Sequence, residues 1–215
     1  MTEQIKLTME KLNKNRMEAF FVETREDALK TALSLLNDGD TVSVGGSVTL
    51  TEIGMLDALK CGKYNYLDRY AASSPTEMHE IFRKSFSADA YITSSNAVTE
   101  NGELYNVDGN GNRVGSLIYG PKKVIVIVGK NKIVKDIDAA VLRVKTIAAP
   151  LNCRRLNKDT YCAKFGHCVT VDNGKGSEMG CGCHSNDRIC RHFAVSGEQI
   201  PDRVKVIIVN EDLGY

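Results

Sequence analysis

The sequence has no tryptophan, only four prolines, and no working excess of either charge: 28 basic side chains face 27 acidic ones, for a net charge of +1. That balance excludes the electrostatic footprint that a phosphate backbone demands, so no nucleic-acid role is expected. Long apolar runs are missing too. The longest, Val124–Val128, has the length of a strand and not of a bilayer span, so no membrane insertion is expected. The N-terminal stretch carries acids and amides where a secretion signal needs a continuous apolar core. The expected location is therefore cytoplasmic, where thiols stay reduced. This bears on what the sequence does contain. Its seven cysteines are an odd number, so they cannot all pair, and most crowd between Cys153 and Cys190. In a reducing compartment such a cluster points to metal binding or redox chemistry in place of disulfides.

The pattern along the chain predicts an α/β protein with a Rossmann-like, mostly parallel sheet flanked by helices, folded as one domain over 1–215. Helices are expected over residues 1–37, because Ile5, Met9, Leu12, Met17, Phe20 and Phe21, and then Ala28, Leu29, Ala32, Leu35 and Leu36, recur at three-to-four spacing. Thr24 is the expected N-cap of the second. Strands are predicted at 41–44, 64–67, 88–94, 124–128 and 204–209, alternating with helices at 51–59, 76–86 and 136–148, as in βαβ units. A β-hairpin is expected around Asp108-Gly109-Asn110-Gly111-Asn112. The stretch 150–193 loses all periodicity and is rich in Cys, Gly and Asn. It reads as a cysteine-rich metal-binding insertion whose bound centre would organise a segment too polar to fold unaided.

Four groups of residues carry candidate chemistry. Cys162, Cys168, Cys183 and Cys190 are soft ligands for one iron–sulfur cluster, the favoured cofactor, or for zinc, with Cys181 and Cys153 as possible substitutes. Their spacing matches neither a zinc ribbon nor a ferredoxin run. His167 and His184 flank the cluster. Gly45, Gly46, Ser47 and Thr49, followed by Glu52, lie where a strand runs into a helix. Glycines there let backbone approach a small anionic ligand, and a tight turn capped by Ser47 accounts for them equally. Ser95, Asn96 and Glu100 follow the 88–94 strand, and ligands of open α/β sheets bind beyond such strand ends. Glu100 is the candidate catalytic base or nucleophile, or simply a solvated turn residue. Arg113 is the candidate anion clamp, because a guanidinium can grip a carboxylate or phosphate as a fork.

These segments resemble the lactate-utilisation (LUD) domain family. The likeness is carried by GGSVTLTEIG from Gly45, SSNAVTENGEL from Ser94, DGNGNRV from Asp108, YGPKKVIVIVGKNKIVKDIDAAVLRV from Tyr119 and the closing NEDLGY. It runs from about Glu18 to the end of the chain. The resemblance implies the fold of the sugar-phosphate isomerase and CoA-transferase superfamily. It also implies a link to bacterial oxidation of lactate or a related small acid, with iron–sulfur or oxidoreductase partner subunits. The family's tail, NAxRLNxKTPCAxTGKCxDCxSPxRIC, is matched by NCRRLNKDTYCAKFGHC and CGCHSNDRIC on either side of an insertion, Val169 to Gly180. Cys162, Cys168, Cys183 and Cys190 fall on the family cysteines, and Cys153 replaces an alanine. Thr99-Glu100-Asn101-Gly102 is similar to the segment around the catalytic glutamate of CoA transferases. The expected function is an accessory or electron-transfer component of organic-acid oxidation. The alternatives are an isomerase or acyl/CoA-transfer enzyme using Glu100, and a non-catalytic subunit with a structural metal.

Overall fold

The computed structural model describes residues 1–215. The chain opens with helix α1 (Glu3–Lys14), whose N-cap Thr2 accepts from Ile5 N and whose last turn carries Lys11 and Lys14 against the helix dipole. The predicted helical run then stops. Arg16 takes φ 60°, and Glu18–Val22 forms strand β1. Phe20 and Val22 pack on one side of this strand, Ala19 and Phe21 on the other. That period of two was hidden because Met17, Phe20 and Phe21 also satisfy a helical spacing. Helix α2 (Arg25–Ser34) follows, capped by Thr24 as expected.

The alternating middle of the chain follows the predicted order. Strand β2 (Thr41–Val44) leads to two short helices, α3 (Val48–Glu52) and α4 (Met55–Ala58), in place of one continuous helix. They are divided at Gly54, whose φ of 73° no helix interior allows. Strand β3 (Asn65–Leu67), helix α5 (Pro75–Lys84) and strand β4 (Ala90–Thr93) come next. Strands β5 (Ala97–Thr99) and β6 (Leu104–Asp108) then pair antiparallel through the turn at Glu100–Gly102. The hairpin therefore lies one element earlier than expected. Asp108–Asn112 is a strand-to-helix turn that opens α6 (Asn112–Tyr119), where Gly111 supplies φ 81°.

Strand β7 (Lys123–Gly129) is followed by the short strand β8 (Ile133–Val134) and helix α7 (Ile137–Arg143). Helix α7 does not end at the predicted boundary. It passes through a π-helical turn, Val144–Ala148, into α8 (Ala149–Arg155). Pro150 explains the widened winding, since it has no N–H to give Thr146 and its ring would strike that carbonyl in a regular helix. Two single-turn helices, α9 (Tyr161–Phe165) and α10 (Val169–Asp172), precede β9 (His192–Ser196) and β10 (Val204–Val209).

Six strands form one fully parallel sheet in the order β1-β10-β7-β4-β2-β3. Alternate residues of β7 serve two cores. Ile125 and Ile127 face α2, α3 and α4, while Val124, Val126 and Val128 face α1 and the second sheet. That second sheet, β8-β5-β6-β9, packs Ala97 and Tyr105 against Ala140, Val141, Val144 and Ala149. Because the main sheet is parallel, the carboxyl ends of β2, β4, β7 and β10 share one edge, and the chain beyond each of them meets there. No helix is long and apolar enough to cross a membrane.

Candidate functional site: a cationic cleft beside a cysteine-lined cavity

A cleft of ≈ 600 Å³ opens at that edge. Its walls hold Gly46 and Ser47 after β2, Ser94–Asn96 after β4, Lys132 after β7 and Tyr215 after β10, with Asn152 and Arg155 of α8 opposite. Its lining is strongly one-signed: Arg69, Arg113, Lys132, Arg155 and Lys158 are basic, and Asp108 is the one acid. An anionic ligand is the chemistry this surface favours.

The predicted ligand residues divide on inspection. The Arg113 side chain is buried and donates in five directions: Nε to Asp108, Nη1 to Ser94 O and Asn106 Oδ1, and Nη2 to Asn96 Oδ1 and Val107 O. A guanidinium has five N–H donors, so none is left for a fork on a ligand. Ser95 bonds Ala97 O and Tyr105 O and accepts from Asn106, which also makes it structural. Gly45 is required by packing, because a Cβ there would lie 2.6 Å from Thr93 Oγ1. Glu52 accepts from Gly214 N at 2.7 Å and anchors the C-terminal tail. Gly46 and Ser47 do line the cleft, and the Ser47 hydroxyl makes no capping bond. Asn96 lines it too. Glu100 does not. It sits in the β5–β6 turn, where its amide donates to Val134 O and its carboxylate accepts from Gln4 of α1.

Lys132 is the residue that sequence reasoning missed. It is 3% exposed, and its Nζ donates to Thr49 Oγ1 at 2.9 Å and Ser94 Oγ at 3.0 Å. Its third donor has no acceptor within the chain, and no carboxylate pairs with it. Burial, with Arg143 and Arg113 nearby, pushes its pKa down to about 7. Thr49, nominated as a ligand contact, instead holds this amine in place. Arg69 is the second omission. Its guanidinium stacks over Phe82 and Tyr70 and stands over Gly46, where a Cβ would be 3.3 Å from Nη1, and it makes no intramolecular ion pair. Nothing local singles out either residue, since Lys132 is one of three lysines between positions 130 and 135 and Arg69 is a lone cation beside Asp68.

A second, small cavity of ≈ 20 Å³ lies behind the π-helical turn. Five cysteines line it: Cys162, Cys168, Cys181, Cys183 and Cys190. The four nominated ligands and the rival Cys181 are therefore brought together from positions far apart in sequence. Cys181 is engaged elsewhere, donating to Glu178 Oε2 at 2.9 Å. Cys153 is buried, and its thiol near Cys162 holds the Cys162 pKa down. Burial pushes Cys190 up to about 12. Cys61 is exposed and lines neither cavity, and His167 pairs with Asp172 at 2.7 Å.

The donors match a soft metal in kind and line one cavity, but they do not match it in spacing. No three His, Cys, Asp or Glu side chains stand close enough together to hold an ion. Two cations tie this segment together, largely through backbone carbonyls. Lys145 Nζ donates to Thr170 Oγ1 and to the carbonyls of Lys175 and Glu178. Arg188 donates to the carbonyls of Gly180, Cys183 and Cys190.

The two cavities share a wall, formed by Val144, Ala149 and Cys190. Comparison with known proteins agrees with this architecture. A crystal structure of a DUF162 family protein from Deinococcus radiodurans is similar over 97% of both chains, with a TM-score of 0.56 at 15% identity. Weaker likenesses are to eIF2B delta from Chaetomium thermophilum (TM-score 0.36, 20% identity, 62% of this chain and 54% of that one) and to ribose 5-phosphate isomerase A from Methanocaldococcus jannaschii (TM-score 0.34, 17% identity, 53% of this chain and 55% of that one). Among curated proteins none matches. The LUD domain model matches residues 5–209, nearly the whole chain, and the protein belongs to the LUD domain family.

Proposed function

We propose that the protein is an accessory or electron-transfer component in the oxidation of lactate or a related small organic acid. In this reading the cleft binds the acid as its anion, and a thiolate-bound centre, iron–sulfur in preference to zinc, would be held by the cysteines around the adjoining cavity, which would have to widen beyond its ≈ 20 Å³ to admit it. Membership of the LUD family supports a broad link to lactate utilisation. The observation that carries the finer reading is the shared wall: Cys190 lines both cavities, so a ligand in the cleft lies one side chain from the cysteine cluster. A purely structural staple has no need of that adjacency. Cys162, Cys168, Cys183 and Cys190 would hold the centre, which would supply one-electron chemistry when bound. The buried thiols must lose protons to ligate it, and Lys145 beside them offsets the resulting negative charge. Electron transfer then calls for oxidoreductase partner subunits. The acyl-transfer reading gains no support, because Glu100 stands outside the cleft.

Protein purified without oxygen tests this directly by absorption spectroscopy and metal analysis. A brown protein with broad visible absorbance, perturbed by a small organic acid, is the expected result. Colourless protein holding stoichiometric zinc, or no metal at all, would remove the redox reading.

A further inference from the structure

The cleft offers more cationic recognition than lactate can use. Lactate is a three-carbon monoanion, whereas the cleft of ≈ 600 Å³ falls in the range of sites that hold considerably larger ligands. Of its five cations, Arg113 is saturated, Lys158 pairs with Asp187 at 3.8 Å, and Arg155 is tied to the Tyr215 hydroxyl and Asn152 Oδ1. Lys132 and Arg69 are the two best placed to take a ligand, and they are held by different parts of the fold. Lys132 stands at the floor on the hydroxyls of Thr49 and Ser94, with one donor left open. Arg69 stands on the wall over Gly46, fixed by the rings of Phe82 and Tyr70, with no acid to neutralise it. The saturated Arg113 contributes charge but no donor. The one acid in the lining, Asp108, is itself bound to Arg113 at 3.0 Å, so it does not screen either free cation.

The geometry points to a ligand with two separate anionic groups, one taken by Lys132 and the other by Arg69: a dicarboxylic acid or a phosphorylated acid in place of a lactate-like monoacid. This rests on the reading of the cleft as an organic-acid site, and it narrows the class of acid. Arg69 is suited to the second group because its planar fork meets a carboxylate or phosphate with two parallel hydrogen bonds. Lys132 is suited to the first because an open ammonium donor without a counter-ion is completed by a ligand oxygen.

Calorimetric titration of the full chain with lactate, malate and phosphoglycerate tests the assignment. Malate or phosphoglycerate is expected to bind at least about tenfold more tightly than lactate, the value of one further charge-assisted contact. Whichever of the two prevails identifies the second group as a carboxylate or a phosphate. Arg69→Gln should bring that acid down to the level of lactate. Lys132→Met, which puts an apolar chain of similar length in an already buried site, should weaken all three. Lactate binding as tightly as both dianions overturns the inference while leaving the organic-acid reading intact, and so does a dianion affinity indifferent to Arg69→Gln. A dianion preference carried by both residues in a protein with no metal centre leaves the inference standing and removes the redox reading. Failure of all three acids to bind overturns both.

Discussion

The guanidinium of Arg113 closes a network around Ser94, Asn96, Asn106, Val107 and Asp108, tying the end of β4 to the end of β6. It shapes the cleft without facing a ligand, so its replacement belongs with stability and not with affinity. Arg113→Gln should cost about 3–5 kcal/mol, the range for leaving a buried charge partner alone. Equilibrium urea unfolding measures that cost, and an unchanged midpoint would return Arg113 to the role of ligand clamp. Lys132 behaves in the opposite way. Its folded pKa lies near 7, far below its ordinary value of 10.5, because burial disfavours the ammonium. The unfolded chain therefore binds more protons than the folded one between these two values, and stability contributed at this site rises as pH climbs from about 7 toward 10.5. Arg143, Arg113 and Glu52 face the amine and do not reverse that sign. Wild type compared with Lys132→Met in urea at pH 6.5 and pH 9 should show the variant's advantage shrinking as pH rises. A constant difference would mean the amine titrates as in water. The sequence alone could nominate Arg113, because it stands beside a Gly-rich turn. Whether its donors are free depends on five acceptors spread from Ser94 to Asp108, and no spacing rule reports that.

At the level of elements, the β5–β6 turn shows how a functional reading and a structural one compete for the same residues. Gly102 takes φ 78°, and an added Cβ would lie 2.5 Å from the backbone carbon of Lys11 and 2.6 Å from Leu12 N. Asn15 also donates to the carbonyls of Asn101 and Gly102. The Glu-Asn-Gly segment is thus the seat on which the end of α1 rests. Gly102→Ala should destabilise the protein by about 3 kcal/mol, combining left-handed strain with the displacement of packed backbone. A thermal melt measures it, and a loss below about 1 kcal/mol would mean that α1 yields freely. The strands at 41–44, 124–128 and 204–209 were legible because β-branched runs bounded by turn residues have few other uses. β1 was not legible, since its aromatics satisfy two periods at once and only pairing with β10 chooses between them. The continuity from α7 to α8 was equally hidden, because Pro150 ordinarily marks a boundary and here is absorbed by a π-helical turn.

For the molecule as a whole, parallel topology is what creates the site. Segments after β2, β4, β7 and β10 are far apart in the chain and meet because their strands all point the same way. The return of β9 alongside β6 then carries the cysteine segment to the same edge, with Arg191 N bonded to Asp108 O at 2.9 Å. Composition and periodicity were enough to establish an α/β chain with a parallel sheet, a cysteine-rich tail and a Gly-rich turn at a strand end, because each is a local signal set by neighbouring residues. Only the tertiary structure decided that Arg113 is saturated while Lys132 and Arg69 are open, that Glu100 lies outside the cleft, and that the cysteine cavity shares a wall with it. Those are matters of which groups from distant segments satisfy one another's hydrogen bonds and charge, and that satisfaction exists only once the strands have paired.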